Sequence, residues 1–268
     1  MYSYCNNNIS LNLNMIGSEN SDLQPCFIIT GATSGIGKAV ASVLDGRSEK
    51  LILIARSAEK LSELSNMLAG NHEYLAIDLT NLDELSGVLK ERKDKVKGFI
   101  HCAGSESVVP LRQVSYSKFD YLMRLHLYSF VEIMKHIESN KKNGEDYSTS
   151  VVAISSIASH SGGIGQTMYS ASKSALESTV RVLTKELAGK KIRLNTILPG
   201  IVNTEMTERW RKKIGITDPE ELNKLQLNGI AETSDIVALI WFLLSDDSKQ
   251  ICGTEIKIDG GGPVNKIF

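Results

Sequence analysis

Residues 26–44 read CFIITGATSGIGKAVASVL, an apolar run followed by a turn with three glycines and then by a helical pattern. The apolar residues 26–30 predict a buried strand, and residues 38–44 predict a helix. Glycines at such a junction allow a tight turn and let backbone N–H groups approach a phosphate at the helix N-terminus. The stretch therefore predicts the first crossover of a nucleotide-binding α/β fold.

The spacing of these glycines, Gly31-x-x-x-Gly35-x-Gly37, helps to decide which kind of nucleotide the turn would bind. It differs from the more familiar G-x-G-x-x-G of dinucleotide-binding folds. It also differs from the triphosphatase loop, G-x-x-x-x-G-K-[ST], because Ala39 stands where Ser or Thr would hold magnesium. We therefore reject a triphosphatase and expect a dinucleotide.

Strand and helix patterns alternate along the rest of the chain. Further strands are predicted at 51–55, 74–78, 96–101, 150–155, 192–198 and 251–259, and further helices at 57–69, 81–93, 117–139, 167–188 and 233–244. This alternation is typical of right-handed βαβ units. We expect an α/β fold: a single doubly wound Rossmann-type domain whose seven-stranded, mainly parallel sheet is covered by helices on both faces.

Length and charge limit the class of protein. The 268 residues suffice for one large domain, expected at 25–268, after an Asn- and Ser-rich tail at 1–24 that we expect to be poorly ordered. A net charge of −1 gives no reason to expect nucleic acid or a membrane surface as partner. The longest apolar run, 237–244, is too short to span a bilayer.

The N-terminus and the cysteines indicate the compartment. The first residues lack the basic region and the apolar stretch of a signal peptide. The four cysteines are scattered without metal-like pairing, as is usual for reduced thiols. We therefore expect a cytoplasmic protein.

A second motif, Tyr169-Ser-Ala-Ser-Lys173, offers acid–base chemistry. On a helix, Tyr169 and Lys173 lie one turn apart on the same face. An ammonium so close would lower the pKa of the phenol, which otherwise titrates near ~10. The preceding predicted strand ends in Ser155-Ser156, and a serine hydroxyl at a strand end could hold a carbonyl or alcohol oxygen close to the phenol. Taken alone, the Tyr–Lys pair is equally typical of an ordinary amphipathic helix.

Together these motifs resemble the short-chain dehydrogenase/reductase family, in its compact, non-extended subgroup. The matching segments are Thr30 to Gly37, Asp78-Leu79, Ala103-Gly104, Ser156, Tyr169-x-x-x-Lys173, Pro199-Gly200 and Asp259-Gly260-Gly261. They occur in the family's order and span about residues 26–262. The resemblance implies an oxidoreductase that interconverts a ketone and a secondary alcohol by hydride transfer with a nicotinamide cofactor.

The resemblance also implies a role for each matched residue. Tyr169 would be the general acid/base, Lys173 would bind the nicotinamide ribose and lower the tyrosine pKa, and Ser156 would orient the substrate oxygen. The implied cofactor contacts are Gly31, Thr33, Ser34, Gly35, Ile36 and Gly37 at the pyrophosphate and adenosine ribose, Asp78 and Leu79 at the adenine, Ala103 and Gly104 beneath the ribose, Tyr169 and Lys173, and Pro199, Gly200, Ile201 and Thr204 at the nicotinamide. Asp78 and Pro199-Gly200 are also compatible with plain turns.

Two histidines depart from the family pattern. The family usually has Asn-Asn-Ala-Gly where this chain has His101-Cys102-Ala103-Gly104, and His126 stands at the position of its catalytic asparagine. The backbone carbonyl of that asparagine holds a water in a proton relay, a role that His126 could keep. Its imidazole either joins the relay or only fills a kink in the helix. We expect Cys102 to be a small buried residue, and we assign no metal.

The end of the second strand bears on cofactor choice. An NAD enzyme places Asp or Glu there to bind both ribose hydroxyls, but this chain has Ala55, followed by Arg56 and Ser57. A guanidinium can hold a 2′-phosphate through two charge-assisted hydrogen bonds. We therefore expect NADP(H) rather than NAD(H), although Arg56 could also stack on the adenine of either cofactor.

Substrate and assembly follow only from the resemblance. Residues 203–228 correspond to the family's substrate-covering segment, and their basic run either draws an acidic substrate or is a solvated helix face. The run contains Arg209, Arg211, Lys212 and Lys213. We expect a small carbonyl or alcohol substrate (3-oxoacyl-type, sugar or other) and a homotetramer or homodimer. The alternatives are an NAD(H)-dependent alcohol dehydrogenase and a non-catalytic dinucleotide-binding sensor or scaffold.

Overall fold

The computed structural model describes residues 23–47, 49–141 and 146–262. The predicted tail therefore lies almost wholly outside the described residues.

The described residues form a seven-stranded sheet in which each pair of neighbouring strands is parallel. The strands are β1 Pro25–Thr30, β2 Lys50–Ala55, β3 Glu73–Ala76, β4 Lys95–His101, β5 Thr149–Ile154, β6 Ile192–Pro199 and β7 Glu255–Ile258. Their order is β3-β2-β1-β4-β5-β6-β7. The predicted Rossmann-type fold is confirmed, with every pairing parallel.

Helices cover both faces of this sheet. They are α1 Gly35–Leu44, α2 Ala58–Met67, α3 Leu82–Lys90, α4 Tyr116–Met123, α5 Ser129–Asn140, α6 Ala158–Ser161, α7 Thr167–Glu186, α8 Glu205–Lys213, α9 Glu220–Asn223 and α10 Thr233–Leu244. One apolar core packs α3, α5 and α7 against the sheet, and the other packs α1, α2 and α10. The strands are buried on both faces, which explains their continuous apolar sequences.

The strand order reverses between β1 and β4, and this point of the sheet is where a ligand site is expected. β1 pairs with β2 on one side and with β4 on the other, and Thr30 lies opposite His101 in the register of β1 and β4. In open parallel sheets, ligands bind in the crevice beyond the carboxyl ends of the strands at this point. The glycine turn after β1 and the His101-Cys102-Ala103-Gly104 segment after β4 therefore face each other.

Three predicted elements differ from the structure. The predicted helix 117–139 is interrupted by a π-helical turn, Arg124–Tyr128, in which Ser129 N donates to Arg124 O. β3 ends at Ala76, so that Asp78 lies in the loop beyond it. β7 begins at Glu255 rather than at 251, because Gly253 (φ +73°) turns the chain just before it.

Candidate active site

The end of β5 and the first turns of α7 bring Ser156 and Tyr169 together. Their side chains are hydrogen-bonded, and the Ser156 hydroxyl also accepts from Ala158 N at 3.1 Å. Burial raises the pKa of Tyr169; the bond to Ser156 partly offsets this, and the charge of Glu106 adds to it. The phenol is therefore held in its protonated form at neutral pH.

Lys173 lies one turn further along α7 and is only 4% exposed. Its Nζ donates to Ile154 O at 2.8 Å and lies 6.0 Å from the centroid of the Tyr169 ring. Burial lowers the pKa of Lys173 to about 8, against the raising effects of Cys102 and Glu177. Burial is the largest effect on the pKa of the Tyr169 phenol and raises it, so a lowering of this pKa by Lys173 stays a prediction.

His126 lies on the π-helical turn and is completely buried. Its Nε2 accepts from Ser105 N at 3.0 Å, so the ring proton is on Nδ1, which donates to Ser172 Oγ at 2.8 Å. Ser172 Oγ donates in turn to Tyr169 O at 2.8 Å. The two ring nitrogens of His126 thus bond α7 and the loop after β4. Burial, and after it the charge of Lys173, keeps the pKa of His126 well below its usual value.

His101, the other departure from the family pattern, contacts the backbone of the same turn. Its Nε2 donates to His126 O at 3.1 Å, and its Nδ1 accepts from Thr30 Oγ1 at 2.9 Å. Thr30 Oγ1 accepts from Ala103 N at 3.2 Å. Burial, followed by the charge of Lys173, lowers the pKa of His101 to about 3. The carbonyl of His126 therefore already has one donor.

The turn after β1 has the tight backbone that a dinucleotide-binding turn needs, because each of its glycines lies where a side chain would meet other atoms of the chain. A Cβ at Gly31 would lie 2.9 Å from Ala103 N, and one at Gly37 would lie 2.3 Å from Gly31 O. Gly35 has φ +48°, and its Cβ would lie 3.3 Å from the Thr204 side chain. The turn ends at the N-terminus of α1, whose first N–H groups suit a pyrophosphate.

Other predicted cofactor contacts lie around this crevice. Thr33, Ser34 and Ile36 stand between the glycines. Leu79 lies in the loop beyond β3 with its side chain buried in the apolar core, and Ala103 and Gly104 follow β4, where Ala103 lies against Gly31. A Cβ at Gly104 would lie 3.5 Å from Lys173 Nζ, so this glycine leaves room beside the lysine. Asp78 is exposed and accepts from Thr80 N and Thr80 Oγ1 at 2.9 and 2.8 Å, a local turn that leaves its other oxygen available.

On the adenosine side, Arg56 follows β2 and is exposed. Among the residues that the structure describes, its guanidinium makes no ion pair or hydrogen bond. Ser57 caps α2 by accepting from Lys60 N at 3.2 Å. Ala55 is buried at the strand end, so the carboxylate typical of an NAD site is missing from this position.

The segment after β6, which contains the predicted nicotinamide contacts, is bonded to the side chain of Gln226. Its side chain accepts from Ile201 N, and a Cβ at Gly200 would lie 2.8 Å from Asp259 Cα. Thr204 caps α8 by accepting from Thr207 N at 3.3 Å. Pro199, Gly200, Ile201 and Thr204 thus form a backbone-lined path from the end of β6 to the glycine turn.

Most of the basic side chains in the run within 203–228 are bonded to other groups of the chain. Arg211 is buried and donates to Ile216 O and Thr217 O at 2.8 and 2.7 Å. Lys212 pairs with Glu208 at 3.3 Å, and Lys213 reaches across the crevice to Glu106 at 2.8 Å. Only Arg209 in this run makes no ion pair within the described part of the chain. The run is therefore not an open cationic patch.

Sequence reasoning missed three residues at this site: Glu106, Gln226 and Glu177. Glu106 influences Tyr169, Gln226 shapes the segment after β6, and Glu177 is a buried carboxylate one turn beyond Lys173. The spacing of Glu177 from Lys173 was visible in the sequence. The other two act through contacts that join distant parts of the chain, which no local pattern indicates.

The chain belongs to the short-chain dehydrogenase/reductase family. A family model described as enoyl-(acyl carrier protein) reductase matches residues 31–262. The relatives and structural neighbours are named as reductases and dehydrogenases, and the chain is an NAD(P)-dependent oxidoreductase whose cofactor is a nicotinamide dinucleotide.

Individual relatives are moderately similar. The 3-oxoacyl-[acyl-carrier-protein] reductase of Thermotoga maritima is 28% identical over 87% of this chain and 96% of its own length. Carbonyl reductase family member 4 of Danio rerio is 29% identical over the same shares. A solved structure of 4-hydroxyisoleucine dehydrogenase complexed with NADH superposes with a TM-score of 0.80 at 25% identity, covering 90% of this chain and all of that one.

Among the described residues, no helix has the length and apolar character needed to cross a membrane.

Proposed function

We propose that this protein is an NADP(H)-dependent carbonyl reductase, which interconverts a ketone and a secondary alcohol with Tyr169 as general acid/base. The observation that carries the proposal is the convergence of Ser156, Tyr169 and Lys173 beside a glycine turn that fits a dinucleotide. A sensor or scaffold on this fold would not need a buried phenol bonded to a serine and backed by a buried lysine.

Ser156, Tyr169 and Lys173 have different roles in the proposed carbonyl reduction. Bound reduced nicotinamide supplies the hydride. Tyr169, held protonated by burial, donates its proton to the carbonyl oxygen, and Ser156 donates a hydrogen bond that orients this oxygen. When the cofactor is bound, the ammonium group of Lys173 would hold the nicotinamide ribose hydroxyls. The raised pKa of Tyr169 favours reduction near neutral pH, whereas alcohol oxidation needs the phenolate and therefore a higher pH.

The preference for NADP(H) rests on Arg56. Its guanidinium is exposed beside the crevice and has no anionic partner within the described residues, so a 2′-phosphate would be its ion-pair partner. Ser57 adds a hydroxyl, and the lack of a carboxylate at Ala55 removes the group that would repel the phosphate. The NADH in a structural neighbour makes an NAD(H)-dependent alcohol dehydrogenase the second candidate.

The names of the relatives favour a 3-oxoacyl-type substrate, with a sugar or another small carbonyl compound next. Glu106 pairs with Lys213 and its charge acts on Tyr169, so a substrate bound at Tyr169 would lie near charged groups. We further propose a homotetramer or homodimer in the cytoplasm, in keeping with the family and with the free thiols of Cys26, Cys102 and Cys252.

The test is Tyr169→Phe, which removes the transferable proton and keeps the ring. Turnover of NADPH with a 3-oxoacyl thioester and with simple ketones should fall about 10²–10⁴-fold, while NADPH affinity stays nearly unchanged. Tyr116→Phe is the matched control, because Tyr116 is 90% exposed and has no part in the site. Undiminished turnover by Tyr169→Phe would refute the proposed role.

A further inference from the structure

Three successive residues at the end of β5 hold three side chains spaced one turn apart on α7. Ile154 O accepts from Lys173 Nζ, Ser155 Oγ donates to Glu177 Oε1, and Ser156 bonds Tyr169. The spacing of four residues places Tyr169, Lys173 and Glu177 on one face of the helix. Glu177 is thus the third member of a row whose first two members belong to the proposed catalytic site.

Glu177 is a buried carboxylate, 2% exposed, with both oxygens bonded. Its second oxygen lies 2.9 Å from Nε2 of His160, which donates to it. His160 stands on α6, the helix that begins two residues after Ser156, and its side chain is 39% exposed. A buried charge is costly unless such donors satisfy it, so the position of Glu177 depends on Ser155 and His160.

Further bonds tie α6 to α7 on the same side. Ser170 Oγ donates to Ala158 O at 2.6 Å, and Ser174 Oγ donates to Ser159 O at 3.0 Å. The pair of His160 and Glu177 completes this set of contacts at the far end of α6. The segment that carries Ser156 is therefore fixed to the helix that carries Tyr169 by a series of side chains that ends in Glu177.

We propose that Glu177, held by His160 and Ser155, is a positioning residue that fixes Ser156 against Tyr169 and places a carboxylate one helical turn from Lys173. This inference rests on the proposed roles of those three residues. His160 acts through Glu177, and neither of the two touches substrate or cofactor.

The charges around Lys173 support the second part of the proposal. Burial lowers the pKa of Lys173 to about 8, and the nearby Cys102 and the carboxylate of Glu177 act in the opposite direction. Burial lowers the pKa of His101 and of His126, so both imidazoles are held neutral and add no positive charge that would lower the lysine pKa further. Without the carboxylate of Glu177, Lys173 would therefore lose its proton at a lower pH.

Glu255 lies beside the same pair and provides a control. One of its oxygens is 3.3 Å from His160 Nε2, and the other pairs with Arg181. It is a carboxylate near His160 that is not bonded to Ser155 or Lys173. Its removal should therefore leave Ser156 and Lys173 as they are.

The experiment uses Glu177→Gln, which keeps the shape of the side chain and one acceptor oxygen, but removes the charge and replaces the other oxygen with an N–H donor. NADPH affinity, measured by fluorescence from neutral to alkaline pH, should decline at a lower pH than in the wild type, and kcat should fall more than KM rises. His160→Ala should shift the decline in the same direction, and His160→Gln, which keeps an N–H donor near Nε2, should restore the wild-type profile. Glu255→Gln should match the wild type.

An unchanged NADPH-binding profile in folded Glu177→Gln would overturn the proposal, as would an equal shift in Glu255→Gln. If Glu177→Gln does not fold, the comparison of His160→Ala with His160→Gln tests the proposal instead. Equal pH profiles of NADPH binding for these two variants would overturn the proposal. The binding profile requires no turnover. Tyr169→Phe can therefore refute the proposed reaction independently of this test.

Discussion

The crevice beyond the sheet has two corners, the glycine turn 31–37 and the histidine corner formed by His101, Ser105, His126 and Ser172. In the turn, Gly31 and Gly37 matter because they carry no side chain, and a Cβ at either would meet backbone within 3 Å. In the histidine corner, by contrast, side chains bond one another and join β1, β4, the π-helical turn and α7. The first corner depends on close backbone packing at the N-terminus of α1, whereas the second fixes the positions of the reacting groups through side-chain hydrogen bonds.

The sharpest test of the glycine turn is Gly37→Ala. The new Cβ would lie 2.3 Å from Gly31 O, so the turn must move away from the pyrophosphate position. We expect the affinity for either reduced cofactor to fall and the turnover to fall by about 10²-fold, because a misplacement of about 1 Å at an active site can cost that much in rate. Gly87→Ala on α3, where a Cβ meets nothing within 4 Å, is the control and should bind normally. Normal binding by folded Gly37→Ala would show that the turn does not hold the cofactor.

Arg56→Ala tests the adenosine side of the turn. It should weaken NADPH binding by about 1.5–3 kcal/mol, the contribution of a charge-assisted hydrogen bond, and leave NADH binding unchanged. Lys185→Ala, at an exposed position in the last turn of α7, controls for the loss of one positive charge. Equal weakening of both cofactors would mean that Arg56 stacks on the adenine instead.

His126→Ala tests the histidine corner. It leaves the N–H of Ser105 without its acceptor, and we expect the free energy of unfolding to drop by about 1–3 kcal/mol in urea titrations. His126→Asn keeps a short polar side chain and should lose less stability, with a turnover close to that of the wild type because the backbone carbonyl remains. If both variants fold but lose most of their turnover, the imidazole itself takes part in proton transfer.

The smallest expected effect concerns the ion pair between Glu106 and Lys213. Glu106 raises the pKa of Tyr169, so Glu106→Gln should lower it and move the pH dependence of alcohol oxidation to lower pH. Lys213→Met removes the ammonium that offsets this carboxylate and should move the profile to higher pH. The two variants are each other's control, and shifts in the same direction would contradict the electrostatic explanation.

Much of the fold and of the cofactor side could be predicted from the sequence, because each signal there is local. The strand, glycine turn and helix at 26–44 are contiguous, and Tyr169 and Lys173 are four residues apart. The histidine corner could not be predicted, since the bond from His101 to His126 O joins residues 25 positions apart through a π-helical turn. The raised pKa of Tyr169 depends on burial, which the spacing of residues does not show.

Steady-state kinetics of the wild-type enzyme with NADPH and NADH in parallel tests the central proposal most directly. The reaction is followed by loss of the reduced-nicotinamide absorbance, with a 3-oxoacyl thioester and a panel of ketones at neutral pH. We predict carbonyl-dependent oxidation of NADPH with a higher kcat/KM than that of NADH. A higher kcat/KM with NADH, or no carbonyl-dependent oxidation of either cofactor, would contradict the assignment as an NADP(H)-dependent carbonyl reductase.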